Sequence, residues 1–385
     1  MAYRLCWRAT CCHDGRSDGA GDEWGVDPVG LWWRTQRLNL ALEGGGAHGA
    51  FTWGVLDRLL EEDGLSIGWI SATSAGAVNA VALAAGLAEG GRPAARAKLR
   101  AVWEAVAKAG LPDLLRLNPL LAGISRSPAM AQVASLFSPY DFNPLGFDPF
   151  RSLLEAHVDF ALLRASSGPE LLIAATDATT GRPHLFRRRD ITVDAVLASA
   201  CLPTIHHAVI IDGRAYWDGG FSANPDLVTL ARESPVGDTL IVRLTAPERA
   251  GVPKTAREIA ARINQITFSQ PMLHDIELIV TARRLKGRWS RFGERADARL
   301  VRHRFHLIEA GRFTGALTPE SKGKPDLELL SYLHGAAVTE TGKWLARNRR
   351  RIGRHSTIDL AWHFLAGRPE QVSSPGDASA AEAVG

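Results

Sequence analysis

The first candidate for chemistry is the block "LEGGGAHGA", which follows an alternating apolar run and precedes an amphipathic segment. This pattern predicts a strand, a glycine-rich turn and a helix, with backbone N–H groups of the turn facing an anion. The glycines fit the G-x-G-x-x-G turn of dinucleotide-binding proteins, but that function requires an acidic residue at the end of the second strand. The second strand ends instead in Ser71-Ala72-Thr73-Ser74. The block therefore indicates an anion site of another kind.

The end of the second strand carries a serine in the setting of a nucleophile. The sequence "ATSAG" is a variant of the G-x-S-x-G elbow, in which the serine occupies a tight turn between a strand and a helix. The residues two positions before and after that serine must be small, and here they are Ala72 and Gly76. Ser74 would then lie at a helix N-terminus, where developing negative charge is favoured. A serine that only caps the helix is the alternative interpretation.

Together the two blocks predict one catalytic arrangement. Turns that follow adjacent parallel strands meet at one edge of the sheet, so the glycine N–H groups and Ser74 could converge on one carbonyl group. The anion would be the tetrahedral oxyanion of an acyl transfer, with N–H donors from Gly44, Gly45 and Gly46. A carboxylate that could accept the serine proton is Asp218, which ends a strand in "AYWDGG", although D-G-G alone is more often a turn.

A Ser-His-Asp triad is the alternative mechanism. Candidate histidines follow Ser74 in the chain, as that order of residues requires, and none has a surrounding motif. They are His206, His207, His303, His306 and His334. Without such a motif, a surface or packing role is favoured for each of them.

In order and spacing, four blocks of the sequence resemble the patatin-like phospholipase family, and its bacterial branch in particular. They are "EGGGAHGAFTWGVL", "ATSAGAVNA", "ASACLP" and "IDGRAYWDGGFSANP", and the resemblance covers about residues 37–310. It implies a Ser-Asp dyad in which Ser74 is the nucleophile and Asp218 the base. It also implies an oxyanion hole at Gly44, Gly45 and Gly46. The supporting motif glycines are Gly49, Gly76, Gly219 and Gly220.

The resemblance also implies a reaction. Such enzymes cleave carboxylic esters of phospholipids or neutral acyl lipids through an acyl-enzyme, with no metal and no organic cofactor. Two positions depart from the family pattern: Ala72 replaces the first glycine of the elbow, and His48, which carries less charge at neutral pH, replaces the usual Arg or Lys. The departure at Ala72 makes a non-catalytic lipid-binding homologue the alternative function. The presence of both Ser74 and Asp218 favours the enzyme.

The order of elements predicts an α/β fold. Strands that alternate with helices indicate a three-layer α/β/α patatin-like fold with a mainly parallel central sheet and a helical, basic C-terminal extension. Within "AVIIDGRAYWDGGF" we expect a hairpin with Asp212-Gly213 at its tip. The expected domains are a loose leader over 1–36, a phospholipase domain over 37–310 with a cap at 111–150, a helical basic extension over 311–368 and a disordered tail over 369–385.

Composition argues against a membrane-spanning protein. The 385 residues are 46% hydrophobic and carry a net charge of +4, and no apolar run has the roughly 18 residues that a spanning helix needs. The N-terminus lacks a secretory pattern, so we expect cytoplasmic residence. The cysteines of "CWRATCCH" match no common zinc spacing and are expected to be free thiols in the leader.

Two basic runs, 283–291 and 343–354, contain no acidic residue. Their Trp289 and Trp344 could stack on nucleic-acid bases or lie at a lipid interface, and a solvated helix face is the alternative to both. Given a lipid substrate, attraction to anionic headgroups is the favoured function. We therefore expect an acyl lipid substrate, peripheral contact with an anionic membrane surface, and no nucleic-acid partner.

Overall fold

The computed structural model of the protein describes residues 24–26, 32–109, 138–143, 146, 148–245, 251–286, 295–315, 317, 319–323 and 325–366. Contacts divide the chain into two compact units, residues 1–35 and residues 36–385. In the first unit, strands β1 (Trp24–Val26) and β2 (Trp32–Arg34) pair antiparallel. Residues 1–23 and 27–31 of the predicted leader, the whole predicted tail and most of the predicted cap lie outside the described residues.

In the described residues of the second unit, eight strands form one mixed sheet. Its strands are β3 (Gln36–Leu42), β4 (Leu65–Thr73), β5 (Leu171–Asp177), β6 (Pro183–Arg187), β7 (Val209–Ile211), β8 (Arg214–Asp218), β9 (Asp238–Arg243) and β10 (Arg304–Glu309). Seven of the strands follow the order β10-β9-β3-β4-β5-β8-β7 across the sheet. The eighth, β6, is not part of this order and pairs with β5. The pairings from β10 to β5 are parallel, whereas β6, β7 and β8 pair antiparallel. The carboxyl ends of β3 and β4 therefore lie at the same edge of the sheet.

Helices cover both faces of the sheet. They are α1 (Gly49–Leu60), α2 (Ala75–Ala109), α3 (Pro139–Phe142), α4 (Pro149–His157), α5 (Phe160–Ala165), α6 (Val193–Ser199), α7 (Val228–Glu233), α8 (Ala256–Lys286), α9 (Arg295–Arg302), α10 (Gly311–Thr314) and α11 (Leu327–Asn348). Helix α2 leaves helical geometry at Gly90 and Gly91, so it consists of two helices joined at a kink. Pro93 stands in the first turn after the kink, where its missing N–H costs no hydrogen bond.

Alternation along β3 explains why both faces of the sheet are apolar. Leu38, Leu40 and Leu42 are fully buried with residues of α1 and α2 in one core. Ala41, which points to the opposite face, belongs to a second core with residues of α7 and α8. The predicted three-layer α/β/α arrangement is confirmed.

The predicted hairpin is also confirmed. Strands β7 and β8 pair antiparallel, and Ile211 lies opposite Arg214. The two residues between them, Asp212 and Gly213, have φ angles of 50° and 76°. Two positive φ angles define the type I′ turn, which suits the twist of the flanking strands and which an Asp-Gly pair favours.

Helix α11, within the segment predicted as a C-terminal extension, packs against α1. The approach is close at Gly54, where a Cβ atom would lie 2.4 Å from the backbone oxygen of His334. Leu330, Leu333 and Leu345 of α11 join the same core as the leucines of β3. Among the residues described, no helix combines the length and the apolar character that crossing a bilayer demands.

The described parts of the two basic runs lie at the amino edge of the parallel strands. Arg349 donates hydrogen bonds to Glu62 and, at 3.2 Å, to Gln36, which begins β3. Arg283 donates to the carbonyl oxygen of His303, the residue before β10. Since the glycine turn and the serine follow the opposite ends of the strands, these arginines are separated from them by the length of the sheet.

Candidate active site

Ser74 occupies the predicted turn between β4 and α2. Its φ angle is +55°, the left-handed region that residues other than glycine rarely adopt. Such a conformation costs on the order of 1–2 kcal/mol and persists only where neighbouring contacts hold it. Here the Ser74 N–H donates to the Ser199 hydroxyl at 2.9 Å, and the Ser74 carbonyl accepts from the N–H of Val78 at 3.1 Å to begin the helix. The serine side chain is thereby presented at the helix N-terminus.

The two small residues of the elbow are under different steric constraints. A Cβ atom on Gly76 would lie 2.3 Å from the backbone oxygen of Leu42, so only glycine fits there. Ala72 is fully buried and its methyl group belongs to the main apolar core. The departure from the family pattern at Ala72 is therefore accommodated by packing.

Asp218 reaches Ser74 through the register of β5. Thr73, the last residue of β4, lies opposite Ala174, and Asp218, the last residue of β8, lies opposite Ala175. Thr73 and Asp218 are 145 positions apart in the sequence. Because they pair with adjacent residues of β5, the ends of β4 and β8 lie side by side. Gly219 allows this approach, because a Cβ atom there would lie 2.2 Å from the oxygen of Ala174.

The backbone and carboxylate of Asp218 are held by separate contacts. Its N–H donates to the carbonyl oxygen of Cys201 at 2.7 Å, and its carbonyl accepts from the Thr176 hydroxyl at 2.8 Å. The Oδ1 atom accepts from the N–H of Gly220 at 2.7 Å. The Oδ2 atom is buried and has no hydrogen-bond partner among the described residues. One carboxylate oxygen is therefore available to accept a proton.

The environment of Asp218 makes its carboxylate basic. Burial raises its pKa to about 7, and the Gly220 N–H and the Ser74 hydroxyl offset part of that effect. The Ser74 and Asp218 side chains thus interact, although without the distance and angles of a full hydrogen bond. Catalytic hydrogen bonds are often loose in unliganded enzymes and tighten when substrate binds.

The glycine loop lies against the serine. A Cβ atom on Gly44 would be 2.9 Å from Cβ of Ser74, and the Gly44 N–H donates to Asn224 Oδ1 at 2.8 Å. Gly46 has a φ angle of +57°. Within the described part of the chain, the N–H groups of Gly45 and Gly46 have no acceptor. These two groups, rather than that of Gly44, are available as donors.

His48 is buried beneath the glycine loop. Its Nε2 atom lies 2.7 Å from the Ser321 hydroxyl. Burial, with a smaller contribution from Lys322, lowers its pKa to about 4. The ring is therefore neutral at pH 7 and does not supply the positive charge of the usual Arg or Lys.

Four of the five candidate triad histidines have side-chain hydrogen bonds to residues other than Ser74 and Asp218. His303 bonds to Thr239, His306 to Asp238 and His334 to Asp57. His206 and His207 line the same cavity as Ser74, yet His207 bonds to the carbonyl of Pro139 and the ring of His206 has a buried Nδ1 atom without a partner. In the described residues, no histidine is hydrogen-bonded to Ser74 or Asp218.

Ser74 and Asp218 open into a cavity of about 720 Å³. That volume is ordinary for a small-molecule site. Apolar side chains from several elements line it together with the glycine loop, and they include Val78, Trp103, Phe150, Leu197, Phe221 and Phe268. No group of three or more potential metal ligands occurs among the residues that the structure describes.

Two residues of the site were not identified from the sequence. Ser199 holds the N–H of Ser74, and Asn224 holds the N–H of Gly44 while its amide donates to the carbonyl of Phe268 at 2.9 Å. Both lie inside blocks that resemble the family, Ser199 in "ASACLP" and Asn224 in "FSANP". Their presence in those blocks is the only feature of the sequence that points to them. Their hydrogen-bond partners are distant in sequence, so no local pattern connects them to the site.

Residues 40–231 match the family model described as Patatin-like phospholipase, and the chain belongs to this family of lipid hydrolases. Among solved structures it is similar to VipD from Legionella pneumophila, with 13% identity and a TM-score of 0.36 over 85% of this chain and 70% of that one. It is also similar to a chain of the SpcU–ExoU complex from Pseudomonas aeruginosa, with 16% identity and a TM-score of 0.27. That match covers 86% of this chain and 60% of the other. No protein with a curated description matches the sequence.

Proposed function

We propose that the protein is a serine lipid acyl hydrolase that cleaves carboxylic esters of phospholipids or neutral acyl lipids. The observation that carries the proposal is the convergence of Ser74 and Asp218 across adjacent residues of β5, at the wall of an apolar cavity. A buried carboxylate with one unpartnered oxygen and a pKa of about 7 is suited to general-base catalysis near neutral pH.

In the acylation step, the Ser74 oxygen bonds to the ester carbonyl carbon while its proton passes to Asp218. The carbonyl oxygen becomes an oxyanion, for which the N–H groups of Gly45 and Gly46 are the donors. Gly44 contributes by its lack of a side chain, which keeps the loop close to Ser74. When the intermediate collapses, the alcohol leaves with the proton from Asp218 and the acyl group remains on Ser74.

In the deacylation step, water takes the place of the alcohol. Asp218 accepts a proton from the water as its oxygen attacks the acyl carbon, and the same N–H groups bind the second oxyanion. Collapse releases the fatty acid, and the proton returns to the Ser74 oxygen. Each step uses the same two side chains in the same positions.

The test is hydrolysis of a soluble short-chain ester and of extracted lipids by the parent and its variants, with products followed by mass spectrometry. Ser74→Ala and Asp218→Ala should each lower kcat by about 100-fold or more, and the double variant should be little worse because the dyad acts as a unit. His206→Ala and His207→Ala should not abolish activity. A loss of about 100-fold from either would indicate a triad instead.

Labelling by a fluorophosphonate separates the enzyme from a non-catalytic lipid-binding homologue. The parent should be labelled at Ser74, and Ser74→Ala should not. A folded parent that neither reacts with the probe nor hydrolyses any ester would refute the proposal.

A further inference from the structure

The two halves of α8 differ in burial. In its carboxyl half, Met272, Ile276 and Ile279 are fully buried in the second core. In residues 256–268, here called the α8 arm, no described side chain is fully buried and most are exposed. Tertiary packing therefore holds one half of the helix, while the other half extends past the carboxyl edge of the sheet.

One face of the α8 arm forms a wall of the active-site cavity. Ala261, Asn264, Gln265 and Phe268 line the cavity that contains Ser74. Phe268 also packs against Phe221, with ring centroids 4.8 Å apart and the ring planes tilted by 55°. The arm thus borders the path by which a substrate reaches the serine.

Another face of the α8 arm is apolar and exposed. Ile259, Ile263 and Ile266 are 42%, 57% and 43% exposed. Their spacing of four and then three residues places them in one stripe along the helix. Isolated exposed isoleucines need no explanation, but three in a row beside an apolar cavity indicate a surface that is covered in use.

Two further isoleucines of the cavity wall are also exposed. Ile205 and Ile210 line the cavity and are 38% and 62% exposed. Aliphatic side chains therefore reach solvent both on the arm and elsewhere along the cavity wall.

The charges on the α8 arm and on the two residues before it favour an anionic occupant. Residues 254–268 contain three basic residues, Lys254, Arg257 and Arg262, and one acidic residue, Glu258. The Glu258 carboxylate accepts hydrogen bonds from the N–H groups of Lys254 and Thr255 at the start of the helix. An exposed apolar stripe in a segment with more basic than acidic residues is typical of a helix that lies in a membrane interface.

We propose that the α8 arm, with Ile205 and Ile210, is the surface by which the protein docks on an anionic lipid bilayer. This inference rests on the proposed function, because it places the cavity opening against the substrate-bearing surface. It also relocates the docking surface expected from the basic runs. Ile263 and Leu285 are separated along α8 by roughly 30 Å, from a rise of about 1.5 Å per residue, so docking by the far end would turn the cavity away from the bilayer.

The test is sedimentation with vesicles of phosphatidylcholine and phosphatidylglycerol in equal parts, in a Ser74→Ala background so that lipid is not consumed. The triple change Ile259→Ser, Ile263→Ser and Ile266→Ser should weaken binding by about tenfold or more, because each side chain loses apolar surface to bury. The matched control is Leu278→Ser with Leu285→Ser. These residues are on the same helix, 48% and 56% exposed, and should leave binding unchanged.

Binding of the arm variant at the parental level, or an equal loss in the matched control, would overturn the inference. So would a parent dimer that becomes monomeric in the arm variant while vesicle binding persists, since the arm would then be a subunit interface. With Ser74 restored, the arm variant should hydrolyse a soluble short-chain ester at the parental rate. A parent inactive on every ester would refute the enzymatic function, and the vesicle assay would still decide the docking surface.

Discussion

Replacing Asp218 by Asn removes the charge of the carboxylate and keeps its shape. In the folded protein burial raises the pKa of Asp218 to about 7, from an ordinary value of 3.8. Between these two values the folded state holds a proton that the unfolded chain has released. The unfolding free energy of the parent therefore falls as pH rises through this window. The amide side chain of the Asp218→Asn variant does not titrate, so the variant lacks this contribution.

The size of this change in unfolding free energy follows from the pH interval between the two pKa values of Asp218. Each pH unit within it changes the unfolding free energy by about 1.4 kcal/mol. From about pH 5 to about pH 7 the parent should lose about 2 kcal/mol relative to Asp218→Asn, since the folded state has released half of the proton where pH equals the pKa. Contributions that do not depend on pH, such as the altered contact with the Gly220 N–H, cancel in this comparison. Titration of other residues cancels as well, since both proteins share them.

The assay is urea unfolding of both proteins at several pH values, with the difference in unfolding free energy plotted against pH. The difference should increase in favour of the variant up to about pH 7 and then level off. In parallel, kcat/KM of the parent should fall about tenfold per pH unit below about pH 7, because only the ionised carboxylate accepts the serine proton. The interpretation of Asp218 as a base with a raised pKa would be refuted by two results together. They are a difference in unfolding free energy that does not change with pH, and a kcat/KM that stays constant down to about pH 5.

Two further predictions concern the serine turn. Ala72→Gly should keep or raise the turnover of a soluble ester, and it should cost about 1 kcal/mol of stability because the methyl group packs in the core. Gly76→Ala should abolish activity and lower the unfolding free energy by about 1–3 kcal/mol, because the added Cβ atom clashes with the backbone of Leu42. Equal effects from the two changes, measured by kinetics and urea unfolding, would contradict this steric account. Ser199→Ala should leave the Ser74 N–H unpaired, reducing kcat about tenfold or more with little change in KM, at a cost of about 1–3 kcal/mol in stability. An unchanged kcat would show that the hydroxyl does not hold the nucleophile.

The features predicted from sequence are those that neighbouring residues specify. The alternation of Leu38, Leu40 and Leu42 predicted a strand, and "ATSAG" predicted the turn in which Ser74 lies. Asp212-Gly213 predicted the hairpin tip, because that dipeptide favours two positive φ angles in succession. The order of four blocks along the chain was sufficient to indicate the family.

The tertiary structure decided what depends on contacts between distant segments. The approach of Asp218 to Ser74 depends on the pairing of β8 with β5, and strand partners are set by packing of the whole sheet, which no local pattern encodes. The Gly44 N–H is occupied by an asparagine 180 residues away, so which loop donors are available could not be read from the loop. The pKa values of Asp218 and His48 follow from burial, which exists only once the chain has folded. For the same reason, sequence showed the charge of the basic runs but not the edge of the sheet at which their arginines lie.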